Sequence, residues 1–159
     1  GYIARIDEVL RATGWPAGQL VLEVTESVLD VNTPTALTNL AELRDRGIRI
    51  AIDDFGTGYS SLSRLKTLPT DFLKLDGSFI ASINSEDEAP PLLEVIALLS
   101  VSLGLPVIAE GVENPFQAQV LSSLGYSLAQ GFYYCRPQPV HKLVEKFAAE
   151  SAGTNAIRT

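Results

Sequence analysis

The sequence predicts an α/β protein with a parallel sheet, of the TIM-like (β/α)8 barrel type, as an incomplete C-terminal portion of about five βα units. Short β-rich runs alternate with longer helical patterns along the 159 residues, which is typical of βα units. Each predicted strand is apolar until its last residues, which are polar. The strands follow one another at steps of about 20 to 35 residues, a spacing that fits eight units in about 250 residues.

The five predicted strands are short, mainly apolar runs. They cover residues 19–26, 49–54, 71–76, 106–111 and 127–132. Helical periodicity, with proline near the first helical position and glycine at the end, predicts helices at 33–47, 89–104 and 114–125. No linker or repeat divides the chain, so residues 1–150 are assigned to the barrel portion and 151–159 to a C-terminal tail.

Five strands do not close a barrel of eight. The same spacing leaves roughly 90 residues, or about three units, to be expected ahead of this sequence. A first residue of Gly rather than Met also indicates a piece of a longer protein. A complete, small doubly wound domain is the alternative architecture.

The composition excludes several classes of function. A net charge of −7 argues against binding a nucleic acid polymer through a broad basic face, although a small phosphate ligand fits if metal ions supply positive charge. A single cysteine, Cys135, cannot form an internal disulfide, which favours a reducing compartment. We therefore expect the cytoplasm, for a free protein or for the cytoplasmic part of a membrane-anchored one.

Two adjacent carboxylates, Asp53 and Asp54, end a strand that is otherwise apolar. Successive strand residues point to opposite faces, so both can serve one site only if the chain turns between them, which Gly56 and Gly58 would permit. Paired carboxylates repel each other unless a cation sits between them, and hard divalent ions prefer such oxygens. The alternative is that Asp54 only makes a turn or caps a helix near Tyr59.

Three other strands end on residues that could join such a site. Lys74 and Asp76 are two apart and share a face; the lysine could hold a water or a phosphoryl oxygen, or form an internal salt bridge. Glu110 ends a buried strand, where an unpaired carboxylate is costly, and this favours a function. Gln130 could be a ligand-binding amide or a simple turn donor.

The motifs LEVTES, IDDFGTGYSSL, LKLDGSFI, VIAEGVE and QGFYYCRPQP, taken in this order, resemble the EAL domain of bacterial cyclic di-GMP phosphodiesterases. The resemblance covers nearly the whole chain. It implies a TIM-like barrel that hydrolyses cyclic di-GMP to linear pGpG with two Mg²⁺ or Mn²⁺ ions. It also implies a homodimer, and further sensory or GGDEF-type domains in the longer protein.

The resemblance implies a role for each matched residue. Glu23 and Asp53 correspond to metal ligands, with Asp53 bridging the ions, and Asp54 to a ligand of the second ion. Lys74 corresponds to the group that holds the attacking water, and Glu110 to an acidic member of the metal and water network. Asp76 and Gln130 are expected to line the substrate site. The residues expected to stabilise loops are Glu26, Gly56, Thr57, Gly58 and Glu113.

The sequence departs from the family pattern at several points. The namesake Glu-Ala-Leu strand with its arginine and the asparagine ligand are not in this chain, and Gly77 and Ser127 stand where arginine and aspartate are common. A non-catalytic cyclic di-GMP sensor or protein-interaction module is therefore an alternative. A barrel lyase or isomerase with acidic metal ligands shares the pattern of strand ends, but does not predict the Gly-Thr-Gly loop.

Overall fold

A computed structural model describes residues 1–25, 34–56, 65–83 and 90–155 of the chain. Its sheet has five parallel strands in the order β1-β2-β3-β4-β5. They are β1 (Val21–Thr25), β2 (Arg49–Phe55), β3 (Phe72–Leu75), β4 (Val107–Ala109) and β5 (Leu128–Ala129). A doubly wound sheet reverses its strand order at a switch point. The strictly sequential order is instead that of a barrel, so the predicted architecture is confirmed and the doubly wound alternative is wrong.

Helices connect the strands. They are α1 (Tyr2–Thr13), a 3₁₀ helix (Ala17–Gln19), α2 (Pro34–Asp45), α3 (Gly77–Ala81), α4 (Pro91–Leu103), α5 (Pro115–Ser123) and α6 (Val140–Asn155). The three predicted connecting helices are confirmed within a few residues, whereas the short α3 was not predicted. Helix α6 runs through residue 150, where the sequence placed a boundary with the tail, and that boundary stays a prediction. Within the described part of the chain, no helix combines the length and hydrophobicity needed to cross a membrane.

Helix ends follow the expected local chemistry. The side chain of Asn114 accepts a hydrogen bond of 2.9 Å from the Gln117 backbone N–H, which caps the start of α5. Helix α4 ends at Gly104, whose φ of 64° lies in the left-handed region that glycine tolerates best.

The core lies between the sheet and the connecting helices. Leu73 and Leu75 of β3 have no exposed surface, and they pack with the helix residues Ile80, Leu93 and Leu121. A second, smaller cluster joins β2 to α1 and α2; its buried members are Leu40, Leu43, Ile48 and Ile50. Helices therefore cover one face of the sheet and leave the other face for the polar side chains between these apolar positions.

Gly131 allows the segment after β5 to approach the segment after β4 closely. A Cβ atom at this position would overlap the Val112 backbone, at both its carbonyl oxygen and its nitrogen. Val112 itself is fully buried, so it has little room to move away. This close contact ties the segment after β5 to the segment after β4.

We predict that Gly131→Ala lowers the free energy of unfolding by about 3 kcal/mol, because the added methyl group overlaps the Val112 backbone. Gly104→Ala is the matched control: its left-handed φ costs about 1 kcal/mol, but its Cβ meets nothing within 4 Å. Urea unfolding followed by far-ultraviolet circular dichroism measures both. Equal losses would show that the two loops can separate without cost.

Candidate functional site

The strand register brings four of the predicted residues to one face of the sheet. Residues that pair on neighbouring strands point to the same face of the sheet, as do alternate residues along one strand. The pairings from β1 to β4 therefore place Glu23, Asp53, Lys74 and Glu110 together, opposite the helix-covered face. Asp53 and Lys74 lie in the carboxyl-terminal halves of their strands, and Glu110 directly follows β4, where ligand sites of barrels form. Glu23 lies in the middle of β1.

The ammonium group of Lys74 lies at the centre of this cluster. Its Nζ is 2.8 Å from Glu23 Oε2, 2.8 Å from Asp53 Oδ1 and 2.7 Å from Glu110 Oε1. The lysine side chain is only 6% exposed, whereas that of Glu23 is 50% exposed. The sequence left a salt bridge and a functional lysine as alternatives for Lys74, and the structure shows an ion-pair network inside the candidate site.

The environment keeps Lys74 protonated. Burial alone would lower its pKa, but hydrogen bonds to Asp53, Glu110 and Glu23 outweigh burial and raise the pKa above its ordinary value. At neutral pH the side chain is therefore a cation that donates hydrogen bonds and cannot accept a proton.

The adjacent aspartates form a β-bulge opposite Lys74. Ile52 pairs with Leu73 and Phe55 with Leu75, so two residues of β2 face one residue of β3. Asp54 accommodates the extra residue of the bulge. Its φ is 55°, an uncommon conformation for a residue other than glycine. The sequence predicted a turn between the aspartates and attributed it to the glycines that follow. The structure places this turn at Asp54 itself.

The two aspartates have different surroundings. Asp53 bonds Lys74, whereas Asp54 is exposed and is not among the ion-pair partners of that lysine. A regular strand would point these two side chains to opposite faces of the sheet, and the bulge at Asp54 changes that alternation.

Glu110 is held from two sides. Its carboxylate accepts hydrogen bonds from Lys74 and from the Gln130 side-chain amide. The Glu110 backbone N–H also donates to the Leu75 carbonyl at 3.1 Å, which continues the ladder beyond β4. Gln130 thus contacts the cluster through Glu110, rather than acting only as a turn donor.

Asp76 lies after the end of β3, not within the strand as the sequence predicted. Its carboxylate accepts a hydrogen bond of 3.0 Å from the Ser78 backbone and caps α3. Hydrogen bonds from Ser78 lower the pKa of Asp76. Asp76 is not an ion-pair partner of Lys74, and its predicted contact with substrate stays a prediction.

The predicted loop residues have mixed outcomes. Glu26, Thr57 and Gly58 lie outside the described residues. Gly56 follows β2 with a φ of 96°, and a Cβ there would be 2.8 Å from the Phe79 ring, so this position requires glycine. The Glu113 side chain is exposed, and it is the backbone of this residue that is held in place.

Sequence reasoning missed the residue that holds Glu113. The Gln117 side chain is 7% exposed, and its Oε1 accepts a hydrogen bond of 2.8 Å from the Glu113 backbone N–H. A glutamine on a helix usually indicates a solvated position. The sequence did contain a signal for this role. Gln117 lies three residues after the capping Asn114, in the first turn of α5, within reach of the backbone that precedes the helix.

A cleft of about 710 Å³ adjoins the cluster at Glu110. Its wall includes Gln130, Phe132 and Arg136, and the Arg136 guanidinium lies 4.5 Å from the centre of the Phe132 ring. The acidic cluster therefore opens onto a space that carries a cation and an aromatic side chain.

Comparison with known proteins identifies the family. The model of the EAL domain matches residues 1–137. This chain belongs to the EAL domain family. The resemblance proposed from the motifs is thereby confirmed.

Relatives of this EAL chain include a cyclic di-GMP phosphodiesterase and a protein solved with manganese and cyclic di-GMP. Cyclic di-GMP phosphodiesterase NbdA of Pseudomonas aeruginosa is 41% identical over 91% of this chain and 19% of its own length. The EAL domain of Mycobacterium smegmatis DcpA is 38% identical, with a TM-score of 0.85, over 94% of this chain and 67% of that one. Klebsiella pneumoniae BlrP1, solved with manganese and cyclic di-GMP, is 33% identical, with a TM-score of 0.74, over 82% of this chain and 33% of that one.

The coverage shows how much of an EAL protein is present. The chain spans about a fifth of the length of the curated relatives it matches. It covers 67% of the DcpA EAL domain, which agrees with a five-stranded portion of a larger barrel.

The acidic cluster of this EAL chain has the donor chemistry of a divalent metal site. Carboxylate oxygens are preferred ligands of hard cations, and three carboxylates surround a single ammonium group. Among the described residues, however, no three Asp, Glu, His or Cys side chains are arranged around a common metal position. In this arrangement, the ammonium of Lys74 takes the point where the carboxylates meet. The residues fit a metal by charge and ligand type, with Lys74 as an additional member of the site.

We predict that Lys74→Met lowers the free energy of unfolding by about 3 kcal/mol at pH 7, because three carboxylates lose their shared cation. The raised pKa means that the contribution of Lys74 is complete below about pH 10.4, its ordinary value, and is lost only as the pH rises through the folded-state value. Lys66→Met, at an exposed lysine, is the control in chemical denaturation. An equal loss of stability in Lys66→Met would contradict the electrostatic explanation.

We predict that Asp76→Ala destabilises the protein by about 1 kcal/mol, whereas Asp76→Asn retains a capping acceptor and loses less. The pKa of Asp76 is lowered in the folded state, so its stabilisation is present above the unfolded value of about 3.9 and is lost as the pH falls below it. Thermal unfolding from pH 3 to 7 should show this dependence in the wild type and a weaker one in Asp76→Asn. If the alanine and asparagine variants lose stability equally, capping is not the role of this side chain.

Proposed function

We propose that this chain is the C-terminal part of a metal-dependent phosphodiesterase domain that hydrolyses cyclic di-GMP to linear pGpG. The observation that carries the proposal is the convergence of Glu23, Asp53 and Glu110 on Lys74 at the carboxyl end of the sheet. Membership of the EAL family supports it, as does the activity in the name of the relative NbdA.

The proposed cofactor is a pair of Mg²⁺ or Mn²⁺ ions. Glu23, Asp53 and Asp54 are the residues that would hold them. Bound ions supply polarisation of the phosphoryl group and neutralise negative charge at the phosphate. Manganese in the BlrP1 complex supports a divalent cation in this family.

The residues of this chain would orient the reactants. As a cation, Lys74 can donate hydrogen bonds to an attacking water or to a phosphoryl oxygen. Glu110 can accept a hydrogen bond from the same water, and Gln130 fixes the position of its carboxylate. Asp76 and Gln130 are proposed to contact the substrate at the rim.

The proposed context is a longer cytoplasmic protein or the cytoplasmic part of a membrane-anchored one. The relatives are several times longer than the matched segment, which supports further domains of sensory or GGDEF type. Homodimer formation through the EAL domain is part of the same proposal.

We predict that Asp53→Asn reduces hydrolysis of cyclic di-GMP at least about 100-fold, because one carboxylate serves both as a proposed ligand and as a partner of Lys74. The assay follows pGpG by chromatography with Mg²⁺ or Mn²⁺, using the chain alone and within a longer polypeptide that carries it. Asp45→Asn, at an exposed aspartate at the end of α2, is the matched control and should leave the rate unchanged. Chelation of metal should abolish turnover.

The same experiment tests the alternative function. Tight binding of cyclic di-GMP without pGpG would favour a non-catalytic sensor or interaction module. Turnover that persists in Asp53→Asn would remove the metal assignment.

A further inference from the structure

The buried amide of Gln117 joins two segments that flank the candidate site. Its Oε1 accepts a hydrogen bond from the Glu113 backbone N–H at 2.8 Å, and its Nε2 donates to the Ile80 carbonyl at 3.2 Å. Glu113 follows β4, and Ile80 lies near the end of α3, which follows β3. One side chain on α5 therefore connects the segments that come after two neighbouring strands.

Residues 110–113, here named the 110–113 loop, are also held by contacts other than the one at Glu113, which restrict the backbone conformation. Gly111 has a φ of 71°, and a Cβ there would lie 3.2 Å from the Gly77 Cα. The Val112 backbone N–H donates to the Gln130 carbonyl at 3.1 Å. Backbone contacts thus fix the middle of the loop, and the Gln117 side chain fixes its end at Glu113.

The start of this loop is Glu110, whose carboxylate bonds Lys74 and Gln130. A hydrogen bond at one end of a four-residue loop restricts the positions available at the other end. Removing the Gln117 amide would take this acceptor from the Glu113 N–H, at a cost of about 1–3 kcal/mol where that group stays away from water. The Ile80 carbonyl would keep its hydrogen bond of 3.1 Å from the Ile83 N–H. The loop would relieve that cost by shifting.

We propose that Gln117 is a positioning residue, which keeps the Glu110 carboxylate against Lys74 by clamping the 110–113 loop to the end of α3. The effect on catalysis rests on the proposed function, whereas the effect on the loop does not. The amide suits this role because one end accepts a hydrogen bond and the other end donates one.

Three variants of the full chain test the proposal. Gln117→Leu keeps the approximate volume and removes both hydrogen bonds. Gln117→Glu keeps the acceptor for Glu113, but its ionised form has no proton to give to Ile80; its protonated form restores both. Gln119→Leu changes an exposed glutamine of the same helix and is the matched control.

Backbone hydrogen exchange, resolved by NMR, is the readout that does not depend on activity. In Gln117→Leu we expect exchange at the Glu110 and Glu113 amides to rise at least 10-fold, with core amides such as that of Leu73 little changed. In Gln117→Glu the protection should return as the pH falls, because burial raises the pKa of a carboxyl group placed there. Gln119→Leu should match the wild type. Unchanged exchange at Glu110 in Gln117→Leu, or a uniform rise across the whole core, would overturn the proposal.

Kinetics with cyclic di-GMP separate positioning from general stability. We expect kcat to fall about 10-fold in Gln117→Leu, with KM within about 2-fold, and activity relative to wild type to recover in Gln117→Glu at lower pH. A fall in kcat that only tracks the fraction of unfolded protein would count against positioning. If neither the wild-type chain nor the longer polypeptide that carries it turns over cyclic di-GMP, the proposed function fails, and the exchange at Glu110 still decides whether Gln117 holds the loop.

Discussion

Three carboxylates from three strands lie within hydrogen-bond distance of one ammonium group, and without that positive charge they would repel one another. Lys74 can take this position because it alternates with Leu73 and Leu75 on a strand that is buried on both faces. The leucines face the helices, and the lysine faces the other side with 6% of its side chain exposed. Burial of the lysine is tolerated because the acidic partners compensate for its loss of water. The packing of the fold and the charge arrangement of the site therefore depend on the same strand.

Backbone geometry that the sheet alone would not provide places the acidic groups around Lys74. The bulge in β2 sets two aspartates against one lysine, at the cost of an uncommon conformation at Asp54. On the other side, glycine contacts allow the 110–113 loop to approach its neighbours closely enough for Glu110 to reach the lysine. Such strained and crowded backbone persists only where the surrounding structure fixes it. Helices α3 and α5, although short, supply that surrounding structure here.

Much of the fold and part of the site could be predicted from the sequence. Strands and helices differ clearly in the periodicity of their apolar residues. Polar residues at the ends of parallel strands converge, so the sequence alone was enough to predict that Glu23, Asp53, Lys74 and Glu110 meet. The bulge at Asp54 could not be predicted in this way, because it exists only relative to the register of the next strand. Asp76 was assigned to the strand because its role as a helix cap depends on a helix too short to show a period. Gln117 was missed because its burial comes from packing against two loops.

The charges around Lys74 bear on the number of ions that the site could hold. Three carboxylates and one ammonium leave a formal charge of −2, which a single divalent ion would neutralise. Asp54, next to the cluster in sequence, and the scissile phosphodiester of the proposed substrate would each add one negative charge, and two divalent ions would then balance the total. A site without substrate would hold a second ion less firmly, since its positive charge would be only partly compensated. Within this part of the barrel, the acidic cluster around Lys74 therefore compensates the charge of one divalent ion, and a second ion would need the further negative charge of Asp54 and of a phosphodiester.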